Sequence, residues 1–110
     1  MRTLRFIVKG QVITRDPTCD FDGLVPGSNG VLEAAFEFSS DWSGMTKVAA
    51  FWSTMGNEYA PQQLRKGRFC TIPPEALQRR SFKIQIIGMD ANSKKLVTNK
   101  IEVTQNGGKV

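Results

Sequence analysis

Apolar and polar residues alternate along most of this chain with a period of two, the spacing of a strand that buries one face and exposes the other. Leu4, Phe6 and Val8 alternate with Arg5, Ile7 and Lys9, and Gly10 breaks this first strand. Val12, Ile13 and Thr14 continue as an extended piece up to Asp16-Pro17, where proline turns the residue before it away from helix. Val31, Ala34, Phe36 and Phe38 alternate with Glu33, Ala35, Glu37 and Ser39. Lys47 to Ser53 differs, because VAAFW is apolar on both sides, which predicts a central strand with both faces covered. Arg68 to Ile72 predicts a short strand with Cys70 and Ile72 on one face. Phe82, Ile84 and Ile86 alternate with Lys83, Gln85 and Ile87, and a last strand runs around Leu96 to Thr104.

Turn residues separate these pieces. DFDGLVPGSNG, residues 20 to 30, has a turn-forming density of Gly, Pro, Asn and Asp and reads as a loop, either a binding loop or a connection between sheets. Further turns fall at SSDWSG, Met55-Gly56-Asn57, Lys66-Gly67 and Asp90 to Lys94. Pro73-Pro74 stops a strand, and PEALQRR then supplies a helical turn, since proline is tolerated at a helix start. Short strands at roughly 8 to 12-residue spacing indicate an all-β sandwich or barrel. The expectation is an Ig-like antiparallel β-sandwich of six to eight short strands with one short helical turn near 73–80. It forms a single domain over residues 1–104, followed by a flexible tail over 105–110.

Length and composition agree, since 110 residues at 40% hydrophobic content suffice for one core. No apolar run approaches the roughly 18 residues that cross a membrane, and MRTLRFIVKG is too interrupted by charge for a signal peptide. A chain made and kept in a cytoplasm is expected, with no membrane partner. Cys19 and Cys70 have no CxxC spacing and no His to join them, which argues against a structural metal and for two reduced thiols. The net charge of +5 raises an acidic partner such as nucleic acid, but the basic residues are dispersed, with short clusters at LRKGR, QRR and KK.

Catalytic chemistry is sparse. A chain without His has no imidazole base and no Ser-His-Asp or Cys-His set, and its ten scattered acids give no reason to pair any two. No catalytic residue, metal ligand or cofactor is expected. The aromatic cluster at FEFSSDWSGMTKVAAFW, residues 36 to 52, reads instead as packing, with Trp42 plugging a corner. Trp52 and Tyr59, flanking the polar STMGNE, read as exposed platforms for a neighbour or a sugar. Together with Arg65, Lys66 and Arg68 they make up the candidate partner contacts, while Phe36, Phe38, Trp42, Gly44, Phe51 and Pro73 form a structural core motif.

The ordered combination FEFSSDWSGMTKVAAF, CTIPPEAL, FKIQIIGMD and LVTNKIEV resembles a β-sandwich module of tailed-phage structural proteins, in particular the N-terminal domain of baseplate upper proteins and related tail appendages. The resemblance rests on Phe36 and Phe38 before Trp42, on Gly44, Lys47, Ala49 and Phe51, on Cys70, Ile72, Pro73, Glu75 and Leu77, on Gly88, and on Thr98-Asn99. It covers roughly residues 31 to 104. Those family members continue into a stalk, whereas this sequence stops soon after Thr104.

The resemblance implies a non-enzymatic virion component, such as a head decoration, neck, tail or baseplate part, made in the host cytoplasm and acting through protein–protein contacts. Its partners would be other virion proteins, met as a homo-oligomer or on a lattice, with exposed edge strands and the 54 to 68 loop as contacts. The alternative is a carbohydrate-binding module for a host surface glycan, stacking on Trp52 and Tyr59. A nucleic-acid-binding barrel using Arg65, Lys66 and Arg68 is the least favoured partner reading.

Overall fold

Most of the apolar faces read from the alternation lie inside a two-sheet sandwich, Val31 being an exception at 50% exposed. The computed structural model describes residues 2–105. Sheet A has the order β2-β1-β3-β6, built from β1 (Arg2–Lys9), β2 (Val12–Arg15), β3 (Leu32–Phe38) and β6 (Phe69–Thr71). Sheet B has the order β5-β4-β7-β8, built from β4 (Thr46–Ser53), β5 (Gln62–Gln63), β7 (Ser81–Met89) and β8 (Lys95–Val97), with β9 (Ile101–Thr104) also beside β7. Leu4, Phe6, Val8 and Phe36 from sheet A meet Phe51, Phe82, Ile84 and Ile86 from sheet B in one continuous core.

The all-β sandwich matches the expectation, with two departures. Among the described residues nine strands form rather than six to eight, because Gln62–Gln63 adds a two-residue strand and the last expected strand is split into β8 and β9. The second departure is that β1 and β3 pair in parallel, from Arg2 opposite Leu32 to Val8 opposite Phe38, so sheet A is mixed rather than fully antiparallel. Parallel neighbours need a long crossover, and the loop after β2 provides one. That loop is packed down: Phe21 meets Phe6 edge-on at 5.4 Å, Leu24 is buried, and the Arg2 guanidinium donates to the carbonyls of Asp20 and Asp22.

The helical turn expected near 73–80 is the four-residue α1 (Pro74–Leu77), with Pro73, Ala76 and Leu77 buried. Gln105, assigned by sequence to the tail, is instead 1% exposed. Its backbone N–H donates to the Arg80 carbonyl, and its Nε2 donates to the carbonyls of Leu77 and Arg79 at 3.0 and 2.8 Å. The remainder of the expected tail, 106–110, lies outside the described residues.

Trp42 closes one end of the sandwich. It ends a 3₁₀ turn (Ser40–Trp42), is 0% exposed, and donates its indole N–H to the Gly10 carbonyl at 2.8 Å. Gly44 then reverses the chain at φ +77, a region that favours glycine. The indole lies against Gly88 of β7, where an added Cβ would come within 2.8 Å of the ring atom Cζ3. Phe38 packs on the other side at 5.4 Å between ring centres.

The sandwich is also stapled along its side. Thr98 interrupts the strand after β8, and its hydroxyl replaces a backbone carbonyl as acceptor for the Ile86 N–H at 2.9 Å. The side-chain oxygen of Asn99 accepts the Ile13 N–H of β2 at 2.9 Å, its backbone N–H donates to the Gln11 carbonyl, and Gln11 Nε2 donates to the Val97 carbonyl. The free edge of sheet A is thereby tied to the free edge of sheet B.

Candidate interaction surface

The five partner-contact candidates divide among three places. Arg65, Lys66 and Arg68 come together in the tight turn joining β5 to β6, where Arg65 and Phe69 exchange backbone hydrogen bonds and Lys66 and Gly67 take left-handed conformations. Their charges are partly committed within the chain. Arg65 pairs with Glu33 at 2.7 Å, and Arg68 sits over the Phe69 ring at 5.4 Å.

Trp52 and Tyr59 do not form one exposed platform. Trp52 is bridged to Glu58, and the Tyr59 N–H donates to the Phe51 carbonyl, so Tyr59 falls on the inward side with Phe51 and packs against the core. Trp52 points outward from sheet B, half-buried, with Lys100 Nζ 3.7 Å from its ring centre. Two residues adjacent in space thus serve opposite faces of the sheet, because pairing partners share a side and successive residues alternate. Both the Trp52 indole nitrogen and the Tyr59 hydroxyl are buried without a hydrogen-bond partner among the described residues.

The Thr98–Asn99 segment ties β8 to β2 on one side of the sandwich, and the Arg65–Phe69 hairpin joins β5 to β6 on the other. Neither cysteine offers a reactive centre of obvious use. Both are free thiols, and burial pushes Cys70 up from 9.0 to about 12, which keeps it protonated and weakly nucleophilic. Among the described residues no group of three or more His, Cys, Asp or Glu is placed to hold a metal ion. No helix among them is long and apolar enough to cross a membrane.

The outer face of sheet B is the feature the alternation misread. Val48, Ile87 and Val97 stand in register across β4, β7 and β8, all pointing away from the core. Met89 extends the row and is 45% exposed, and a shallow hollow of about 350 Å³ lies along Thr46, Val48, Ile87 and Met89. VAAFW is apolar on both sides: on the outer side Ala50 is 0% exposed and Val48 and Trp52 are half-buried, although the described strands form only two sheets and put no third layer there. Lys83, Lys95 and Lys100 stand around the row, with Glu102 opposite Lys83. The signal was present in the consecutive Ile86-Ile87, which places an apolar side chain on each face of β7.

Compared with protein-family models, curated proteins and solved structures, the chain matches none. Its surface has to be read from its own geometry. Most of the residues that carried the phage-module resemblance are packing residues, among them Phe36, Trp42, Phe51, Ile72, Leu77 and the Thr98–Asn99 staple, while Gly44 and Glu75 are exposed. They specify the sandwich, and a fold does not fix a function.

Proposed function

We propose that this protein is a non-enzymatic structural component of a tailed-phage virion that works through protein–protein contact, with the outer face of sheet B as its contact surface. The observation that carries the contact surface is the register row Val48–Ile87–Val97, flanked by Met89 and Trp52, with no element of the described residues over it. The phage assignment rests on the sequence resemblance alone.

The occupant is a second protein subunit presenting an apolar patch with carboxylates at its rim. Apolar contact supplies the affinity: full burial of a Val or Ile side chain is worth about 1.5–3 kcal/mol, and these partly buried residues have at most about a third of that left to gain. Lys83, Lys95 and Lys100 favour an acidic rim, which speeds encounter and fixes orientation. The carbohydrate reading with Trp52 and Tyr59 as paired platforms has less support, because the two side chains lie on opposite sides of the sheet. Direct readout comes from adding the purified protein back to virion particles that lack it. Co-sedimentation at a fixed copy number per particle is expected, and protein that stays wholly in the supernatant would end this reading.

A further inference from the structure

At the end of sheet B away from Trp42, a groove of about 570 Å³ opens between the Ser53–Tyr59 turn, the Arg79–Ser81 segment and Glu102. Small-molecule sites span roughly 300–1,000 Å³, so the groove has the size of one. Arg79 and Arg80 are both exposed, and neither guanidinium has a hydrogen-bond or ion-pair partner among the described residues. The backbone that carries them is held in place by the buried Gln105, which ties down the carbonyls of Leu77, Arg79 and Arg80. The opposite wall is equally fixed. Ser53 Oγ accepts the N–H groups of Met55 and Asn57 at 3.2 and 3.0 Å, which leaves its hydroxyl proton free to donate.

The chemistry of the lining selects a ligand class. Guanidinium forks match the geometry of a carboxylate, and two unpaired ones set side by side favour an anion. Glu102 in the same lining opposes a dense anion such as phosphate, yet it accepts hydrogen bonds from hydroxyl groups. Met55, 87% exposed, offers apolar surface for the C–H face of a ring, and the free hydroxyl proton of Ser53 can donate to a sugar oxygen. One carboxylate, several hydroxyls and an apolar ring face together describe an acidic sugar. We infer that this groove binds an acidic monosaccharide unit, of the uronic-acid or sialic-acid type. Apart from Glu102, which also stands opposite Lys83 at the margin of the apolar row, the groove and that row are lined by different residues.

The test is an amide chemical-shift titration of the full chain with methyl glucuronide and with N-acetylneuraminic acid. Methyl glucoside, inorganic phosphate and a short polyglutamate peptide serve as comparison ligands. Shifts confined to residues 53–59, 79–81 and 102 with the acidic sugars, and absent with methyl glucoside, are expected. No shift with either acidic sugar overturns the proposal. Equal shifts with phosphate or with the peptide at the same concentration overturn it too, assigning the groove to a plain anion or to an acidic protein partner. Replacing both arginines (Arg79→Gln with Arg80→Gln) is expected to weaken acidic-sugar binding about tenfold or more, the scale of one lost charge-assisted hydrogen bond, while Lys66→Gln leaves it unchanged. If the double variant does not fold, Glu102→Gln decides. It is expected to let inorganic phosphate shift the same amides, and continued silence toward phosphate contradicts the role given to Glu102.

Discussion

Ile7 and Ile87 occupy equivalent places on the two sheets: each lies on a central strand and points away from the core. Their neighbours differ. Ile7 pairs with Thr14 on one side and Glu37 on the other, whereas Ile87 pairs with Val48 and Val97. An apolar residue whose paired neighbours are both polar is ordinary protein surface, because folded proteins have too little polar area to cover themselves. A row three strands wide is a patch, and patches of that kind mark contact sites. The difference between the faces therefore lies in register, which sets which side chains stand next to one another. Counting apolar residues strand by strand does not expose it.

The largest effect tests what both faces share. Trp42→Ala removes the plug and its hydrogen bond to Gly10, and a loss of about 3–5 kcal/mol is expected in urea unfolding. Gly88→Ala, whose Cβ would press on the same indole, is expected to cost about 1–3 kcal/mol. If either variant weakened partner binding while stability stayed unchanged, Trp42 would belong to the contact surface and the comparison of faces would fail.

A middle-sized effect separates the sheets. Thr98→Val leaves the Ile86 N–H without its acceptor in a buried position, which costs about 1–3 kcal/mol. Hydrogen exchange at Ile86 is expected to accelerate, with amides in the β1–β3 pairing little changed until global unfolding. Uniform acceleration over both sheets would show that the staple is not local.

A further effect, seen only above pH 9, concerns the thiols. Cys70 titrates at 9.0 when exposed in the unfolded chain and is pushed up to about 12 by burial in the fold. Above pH 9 the unfolded chain gives up this proton first, so stability is full below that pH and falls as pH climbs from 9 toward 12. Cys70→Ala is expected to flatten that part of the profile. At pH 8 a thiol reagent is expected to modify the half-exposed Cys19 and to reach Cys70 only on unfolding.

Much of the sandwich was legible because half-buried strands write their faces as alternation. Leu4–Phe6–Val8 and Phe82–Ile84–Ile86 point inward as that pattern requires, and Trp42 sits at the corner where a turn follows two inward phenylalanines. What was not legible depends on pairing between distant segments. The parallel partnership of β1 and β3, the side-to-side tie through Asn99, and the anchoring of Gln105 all join residues far apart in sequence. Trp52 was read as exposed from its polar flanks. Its outward direction was right, but its ring lies under Lys100, and Tyr59 turns the other way. VAAFW was legible as apolar on both sides, and its outer side is covered at Ala50 but only half-covered at Val48 and Trp52.

The account turns on Ile87 being a contact residue and Ile7 being ordinary surface. Ile87→Asp and Ile7→Asp, each first shown to be folded by circular dichroism, can be added side by side to particles lacking the protein and scored by co-sedimentation. The account predicts that Ile7→Asp binds like wild type. Ile87→Asp should lose about 2 kcal/mol or more of affinity, the loss characteristic of a central contact residue. Equal binding by the two variants, or a loss confined to Ile7→Asp, would contradict it.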